Sequence, residues 1–304
     1  MKNKRPRTVD ALDWSALEYA AGFHNYCTTE AVAGTLPIGQ NSPQHVKFGL
    51  YAEQLSGTAF TCPRSTNRRS WLYRLSPSSR QGGYRPAKSS GPLLTANFPV
   101  VDPSPRRWSP LPLAPTKGAP VDFIDGAQSM CGAGDPSLKE GVAIHMYACN
   151  KPMTDRAFCN ADGEMLLVPQ QGVLHVTTEL GKLRVAPGEI AVLPRNVRFS
   201  IDPQPEESAA GCRGYVLEVY ASRGFVLPEL GPIGANGLAE PRDFQTPVAS
   251  FEDRHCPDGF TIVTKYAGEL FESMRDHSPY GACAGENALL ALRKDTSAAV
   301  SASR

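Results

Sequence analysis

The sequence predicts a mainly all-β protein, a jelly-roll β-sandwich with long N-terminal covering segments and few short helices. Short runs rich in branched and aromatic residues follow one another between residues 141 and 221. Gly, Pro, Asn or Asp punctuates the junctions between them, and such regular spacing suits a sandwich or barrel. No G-x-G-x-x-G run, phosphate-binding loop or H-E-x-x-H run supports a competing architecture.

Taken in order, residues 1–16 read as a disordered tail. Its basic residues Lys2, Lys4, Arg5 and Arg7 suit a solvated segment better than a binding arm. Residues 11–45 carry turn punctuation (Gly22, Gly34, Pro37, Gly39, Asn41, Pro43) and few periodic runs, so they are expected to wrap over a core. Val46 to Tyr51 and Ser70 to Leu75 are strand-like in their aromatic and branched content. Residues 76–120 are dense in Ser, Pro, Gly and Arg and cannot bury a core of their own. They are expected to form a long covering arm with one or two short elements around Leu93 to Val101. From there the predicted strands are 141–149, 164–169, 173–179, 182–186, 190–193, 197–201 and 213–221.

At Ser278-Pro279-Tyr280 the character changes. The 24 residues that follow hold seven alanines and no aromatic residue or His. Residues 281–304 are expected to be unstructured. Propensity favours a short helix over 286–294, but a helix of about nine residues is too short to stand without packing.

Bulk properties bound the function. The 304 residues allow one large domain or two small ones, and 41% hydrophobic residues suffice for a core. A net charge of +1 argues against a nucleic-acid or anionic-membrane partner. No apolar run approaches the ~18 residues of a membrane span, and the N-terminus lacks a signal-like apolar region, so a cytoplasmic location is expected. Cys27, Cys62, Cys131, Cys149, Cys159, Cys212, Cys256 and Cys283 are scattered without a C-x-x-C pair, which suits reduced, mostly buried thiols.

Pro187-Gly188-Glu189-Ile-Ala-Val-Leu-Pro194-Arg195 resembles the second strand motif of the cupin superfamily, which makes the predicted sandwich cupin-like. In that motif a His soon after the closing Pro binds metal; Phe199 stands there in this chain. Ahead of Glu164, where the first cupin motif offers a His-x-His pair, the chain has Phe158, Cys159 and Asn160. Metal ions need imidazole or carboxylate lone pairs, which phenylalanine lacks, so no metal is expected at that position. His145 and His175 sit among apolar strand residues and read as core or surface histidines. His24, His45, His255 and His277 have no partner at ligand spacing along the chain and are assigned no role. No pair of carboxylates stands out as an acid/base dyad.

Three stretches are more particular: Leu50 to Arg74 (LYAEQLSGTAFTCPRSTNRRSWLYR), Met130-Cys-Gly-Ala-Gly-Asp135 followed by Gly141-Val-Ala-Ile-His145, and Leu227 to Phe244 (LPELGPIGANGLAEPRDF). With Tyr19-Ala-Ala-Gly-Phe23 and Arg213-Gly-Tyr-Val-Leu-Glu-Val-Tyr220, they closely resemble the homogentisate 1,2-dioxygenase family over roughly residues 17–280. The resemblance implies opening of the homogentisate ring by O₂ to maleylacetoacetate, in tyrosine and phenylalanine catabolism. It implies a mononuclear Fe(II) held by two His and one Glu, an acid/base His, and a homo-oligomer built as a dimer of trimers. It also implies that the 76–120 arm packs between subunits.

None of the family's functional residues transfers. After the step matching Ser278-Pro279-Tyr280 the family continues Val-Ala-Trp-His-Gly, whose His is the acid/base group, with the iron ligands further on. Here Gly281-Ala-Cys-Ala-Gly-Glu286 follows. His277 and Glu286 lack a second His at ligand spacing. No catalytic, cofactor-binding or metal residue is therefore assigned, no Fe(II) is expected to bind, and these residues are expected to be inactive. The abrupt change reads as a departure at the nucleic-acid level, testable by translating the DNA past codon 280 in the other frames. The alternatives are a metal-free cupin acting as a binding or assembly module, and an inert truncated fragment.

Overall fold

The computed structural model describes residues 13–21, 28–36, 46–63, 67, 69–88, 104–105, 107–112, 120–203, 211–221, 224–226, 243–286 and 290–292. In chain order the early strands are β1 (Tyr19–Ala21), β2 (Thr28–Glu30), β3 (Tyr51–Ser56), β4 (Arg69–Arg74) and β5 (Arg85–Pro86). The central ones are β6 (Ala127–Asp135), β7 (Glu140–Cys149), β8 (Arg156–Asn160), β9 (Glu164–Gln171), β10 (Leu174–Thr178), β11 (Gly181–Val185), β12 (Ile190–Leu193), β13 (Arg198–Pro203) and β14 (Cys212–Val219). The last are β15 (Phe244–Pro247), β16 (His255–Tyr266), β17 (Glu269–His277), β18 (Ala282–Glu286) and β19 (Leu290–Leu292).

Successive central strands cross between two sheets. One sheet holds them in the order β12-β9-β14-β7, the other in the order β11-β10-β13-β8. That interleaving is a jelly roll. The first sheet widens to eight strands, β1-β15-β19-β12-β9-β14-β7-β6, and the second to seven by adding β16, β17 and β5. A third sheet, β2-β18-β4-β3, covers one side.

The strands form because their side chains alternate in burial with a period of two. β7 buries Ala143, His145, Tyr147 and Cys149, while Val142 and Ile144 face outward. β14 buries Cys212, Gly214, Val216 and Glu218, and its register against β7 runs from Cys212↔Cys149 to Val219↔Val142. The enclosed core centres on Phe123, Tyr147, Phe158, Leu167, Val176, Phe199 and Val216. A tight turn joins β10 to β11. The Thr178 hydroxyl donates to the Gly181 carbonyl at 2.7 Å and accepts from the Leu180 amide at 3.0 Å. Gly181 has φ of 135°, and a Cβ there would come within 2.4 Å of the Val248 carbonyl oxygen, so only glycine fits.

All seven strands predicted between 141 and 221 form. Several other readings need correction. Val46 to Tyr51 is not a strand: a 3-10 turn occupies Lys47–Gly49, with Phe48 at φ of 59°, and the strand begins at Tyr51. The expected 1–16 tail falls largely outside the described residues, but Trp14–Ala16 form a capped 3-10 turn and Trp14 stacks on His175 with ring centres 4.1 Å apart. Of the 76–120 arm, residues 76–88, 104–105, 107–112 and 120 are described, and the first of these stretches contributes β5; the element expected at 93–101 lies outside the described residues. The segment after 280 is not structureless throughout. β18 inserts between β2 and β4, and β19 pairs with β12 and β15, so two strands form within the stretch expected to be unstructured. Alanine and glycine give little strand propensity, but a backbone ladder on both sides supplies hydrogen bonds that propensity does not report. Residues 293–304 lie outside the described residues.

Of the six described cysteines, none of which forms a disulfide, Cys149, Cys159, Cys212 and Cys256 are buried, as expected. Among the described residues no helix is long and apolar enough to cross a membrane.

Candidate functional site

Of the positions compared with the cupin motifs, the barrel interior brings together Phe158 and Phe199. Phe158 on β8 and Phe199 on β13 are cross-strand partners. Their rings meet edge to face with centres 5.6 Å apart, and Phe123 and Tyr147 extend the cluster at 6.2 and 5.2 Å. All four are buried. Cys159 belongs to a second cluster with Phe260 and Tyr280, and burial pushes its thiol up to about 12. The carboxylate of Glu164 accepts from the Phe225 amide at 2.6 Å. Gly224 allows that approach, because a Cβ there would fall 2.0 Å from a carboxylate oxygen. The donor set at these positions is thus two rings, an amide side chain, a protonated thiol and a committed carboxylate.

Beside the cluster lies a polar network that links the two sheets. β14 presents Glu218 inward, and the parallel pairing of β8 with β16 sets Lys265 beside Asn160. Glu218 receives His145 Nε2 at 2.8 Å, Asn160 Nδ2 at 2.7 Å and Lys265 Nζ at 2.8 and 2.6 Å. Ser129 Oγ lies 2.9 Å from His145 Nδ1, so the two ring nitrogens are both engaged. Asp162 accepts from the amides of Ala267 and Gly268 and lies 3.7 Å from Lys265. Burial lowers the His145 pKa more than its Glu218 partner raises it. Burial also opposes ionisation of Glu218, yet the His145 hydrogen bond and the Lys265 charge together leave its pKa below the usual range. His145, Glu218 and Lys265 are wholly buried, so the network fastens β7, β8, β14 and β16 and offers no face to a substrate. The sequence reading of His145 as a core histidine fits this placement, but its partners were not legible.

A second charged cluster sits between the third sheet and the barrel. Glu179 pairs with Arg74 at 2.6 Å and Arg198 at 2.9 Å, and Arg74 also reaches Glu53 at 2.8 Å. Burial resists the Glu179 charge, but the Arg74 and Arg198 guanidinium groups hold the carboxyl down at about 2. Arg275 lies in the same neighbourhood, where burial and the Arg198 charge bring it down to about 10.

The third grouping lies at the open end of the β16–β17 hairpin. His255 and His277 are register partners with ring centres 4.9 Å apart. Asp276 Oδ1 stands 2.9 Å from His277 Nδ1, and Asp276 Oδ2 pairs with Arg80 at 2.7 Å. The contact with His277, first, and the charge of Arg80 hold the Asp276 carboxyl at about 2. This corrects the reading that His255 and His277 lack partners at ligand spacing: the pairing is across strands, 22 positions apart in the chain. His175, by contrast, is taken up in the stack with Trp14. His24 and His45 lie outside the described residues.

The Ser278–Tyr280 step itself is built into the fold. Ser278 N–H donates to the Arg254 carbonyl at 3.0 Å, its hydroxyl donates to Glu252, and Tyr280 N–H donates to the Ser278 hydroxyl at 3.2 Å. Tyr280 is buried against Phe260, with ring centres 6.1 Å apart. The chain then passes directly into β18.

Compared with known proteins, residues 18–289 match the family model described as "Homogentisate 1,2-dioxygenase N-terminal". A protein named homogentisate 1,2-dioxygenase from Oryza sativa subsp. japonica is 50% identical over 285 residues, covering 92% of this chain and 59% of its own length. The human protein of that name is 50% identical over 273 residues, covering 88% and 59%, and the Drosophila melanogaster one is 45% identical over 287 residues, covering 93% and 64%. The chain thus spans about three fifths of the length of these curated relatives. Among solved structures, a cupin 2 conserved barrel domain protein from Leptotrichia buccalis aligns over 59% of this chain and 92% of its own, at 12% identity and a TM-score of 0.26.

Proposed function

The chain belongs to the homogentisate 1,2-dioxygenase family, through that family's N-terminal part, and on that premise we propose that its 304 residues form the framework of such an enzyme without its ring-opening centre. The reaction ascribed to the family, O₂-dependent opening of homogentisate, needs Fe(II) on two His and one Glu with open positions for substrate and oxygen. The residues at the cupin motif positions do not fit that ion. Phe158 and Phe199 fill the space with rings and Glu164 is committed to Phe225. No step of the reaction is routed through these groups. By resemblance the acid/base His would fall just after Tyr280, where Gly281-Ala-Cys-Ala-Gly-Glu286 stands, and the iron ligands further on; the 17–280 unit extends through β18 and β19.

The single observation that carries this reading is the aromatic filling of the barrel within a chain whose family match is to the N-terminal part. The test is O₂ consumption by the purified 304 residues with homogentisate, Fe(II) and ascorbate. No turnover is expected, whereas turnover at the rate of a full-length relative would overturn the proposal. The four buried thiols support a reducing, cytoplasmic setting.

A second role has its own support. Val142, Ile144 and Tyr215 are exposed on the adjacent strands β7 and β14, an apolar strip on the outer sheet face that suits association with another subunit. Co-purification with a full-length subunit supports assembly through this face, and a strictly monomeric chain that captures none counts against it.

A further inference from the structure

We propose that His255, Asp276 and His277 bind a divalent transition-metal ion at the open end of the β16–β17 hairpin. This site is independent of the framework reading and of the family's iron chemistry. It arises from strand register. The bulge between His255 and Phe260 shifts the ladder so that His255 comes opposite His277. Asp276 adds a carboxylate from the neighbouring position, and one donor atom from each of the three residues lies within 4.8 Å of the others.

Two imidazoles and a carboxylate form a donor set that zinc and cobalt accept. Ligands about 2.1 Å from a tetrahedral ion stand about 3.4 Å apart. Closing the cluster therefore requires side-chain movements of roughly an ångström, which exposed His255 is free to make. The contact between His277 and Asp276 favours an ion over a simple hydrogen bond. His277 Nδ1 is shielded from solvent and lies 2.9 Å from Asp276 Oδ1, but the pair is not aligned as a hydrogen bond. A cation beside the Asp276 carboxylate supplies the partner that His277 Nδ1 lacks. One open coordination position would remain toward water, because the cluster lies at the surface rather than in the barrel.

Arg80 is the built-in competitor. Its Nη2 holds Asp276 Oδ2 at 2.7 Å, and both side chains are about half exposed. An incoming ion must share the carboxylate with this guanidinium, so Arg80 weakens binding, and its removal should strengthen it. That prediction runs opposite in sign to the loss expected from the histidine substitutions.

The experiment is a titration of the tag-free 304-residue chain with Co²⁺, followed by visible absorption, and displacement by Zn²⁺. One ion per chain is expected. His255→Ala and His277→Ala should each weaken binding by more than the roughly 10–100-fold that loss of a supporting group costs, while Arg80→Ala should tighten it. The metal-free melting temperature of His255→Ala should match that of the parent, which separates ligand loss from misfolding. Absence of saturable binding, or parental affinity in both histidine variants, overturns the proposal. The readout does not depend on ring-opening activity.

Discussion

Replacing Glu218 with glutamine should destabilise the protein by about 3–5 kcal/mol, the cost of breaking a buried ion pair from one side. The figure follows from what the substitution strands. Lys265 loses the carboxylate charge that it meets at 2.8 and 2.6 Å, and its remaining electrostatic partners are Asp162 at 3.7 Å and the face of Tyr220 at 5.0 Å. It is wholly buried, so water cannot replace what is lost. His145 meanwhile faces an amide where it had a carboxylate. Domains are stable by only about 5–15 kcal/mol, so urea unfolding at moderate temperature should show a large drop in midpoint. Adding Lys265→Met removes the stranded ammonium, and the double variant should regain at least about 1 kcal/mol through coupling between neighbours. A single-variant cost under about 1 kcal/mol, or costs that simply add, would refute the view that this network fastens the two sheets.

Stability should also depend on pH in two windows. His145 has a lowered pKa in the fold, so the unfolded chain binds that proton more readily. Its contribution is present above about pH 6.5 and declines as pH falls through that value; urea midpoints between about pH 8 and 5.5 should show the decline and His145→Asn should flatten it. Glu179, held at about 2, gives a separate loss that begins near pH 4.5, the usual carboxylate range, and completes toward pH 2. Phe199→His places the cupin-type histidine back in the barrel but should cost a few kcal/mol as a buried polar group and recruit no iron; one bound iron per chain by elemental analysis would contradict the aromatic-filling argument. Deleting residues 282–304 removes the strand between β2 and β4, so amide exchange at Thr28–Glu30 should accelerate to that of open chain, and unchanged protection would show that β18 is dispensable.

What was legible in the sequence follows the physics of each signal. The strands from β7 to β14 announced themselves, apart from β8, through branched and aromatic runs set between turn residues. β8 (Arg156–Asn160) escaped because Phe158 is its only branched or aromatic residue, whereas β10, buried at every position, carries Val176, Thr177 and Thr178. The long hairpin β16–β17 carries charges within its strands, Lys265 and Arg275 among them, whose buried partners lie on other elements. The absence of donors at Phe158 and Phe199 was readable, because it concerns residue type. The His255–His277 pair was not, because register alone brings those residues together.

The jelly roll and the iron chemistry are separable for a physical reason. A metal centre in a barrel is a polar hollow, stable only when three or more lone-pair donors converge on an ion. This chain has closed that hollow with Phe123, Tyr147, Phe158 and Phe199, which pack against one another as an ordinary apolar core. Such a core stabilises the fold without any ion. The buried carboxylates Glu218 and Glu179 are each held by cationic side chains of the protein. The change of composition at Ser278–Tyr280 is therefore no boundary of the fold, since the backbone carries straight on into β18 and β19. The match to the family model likewise runs past it, to residue 289.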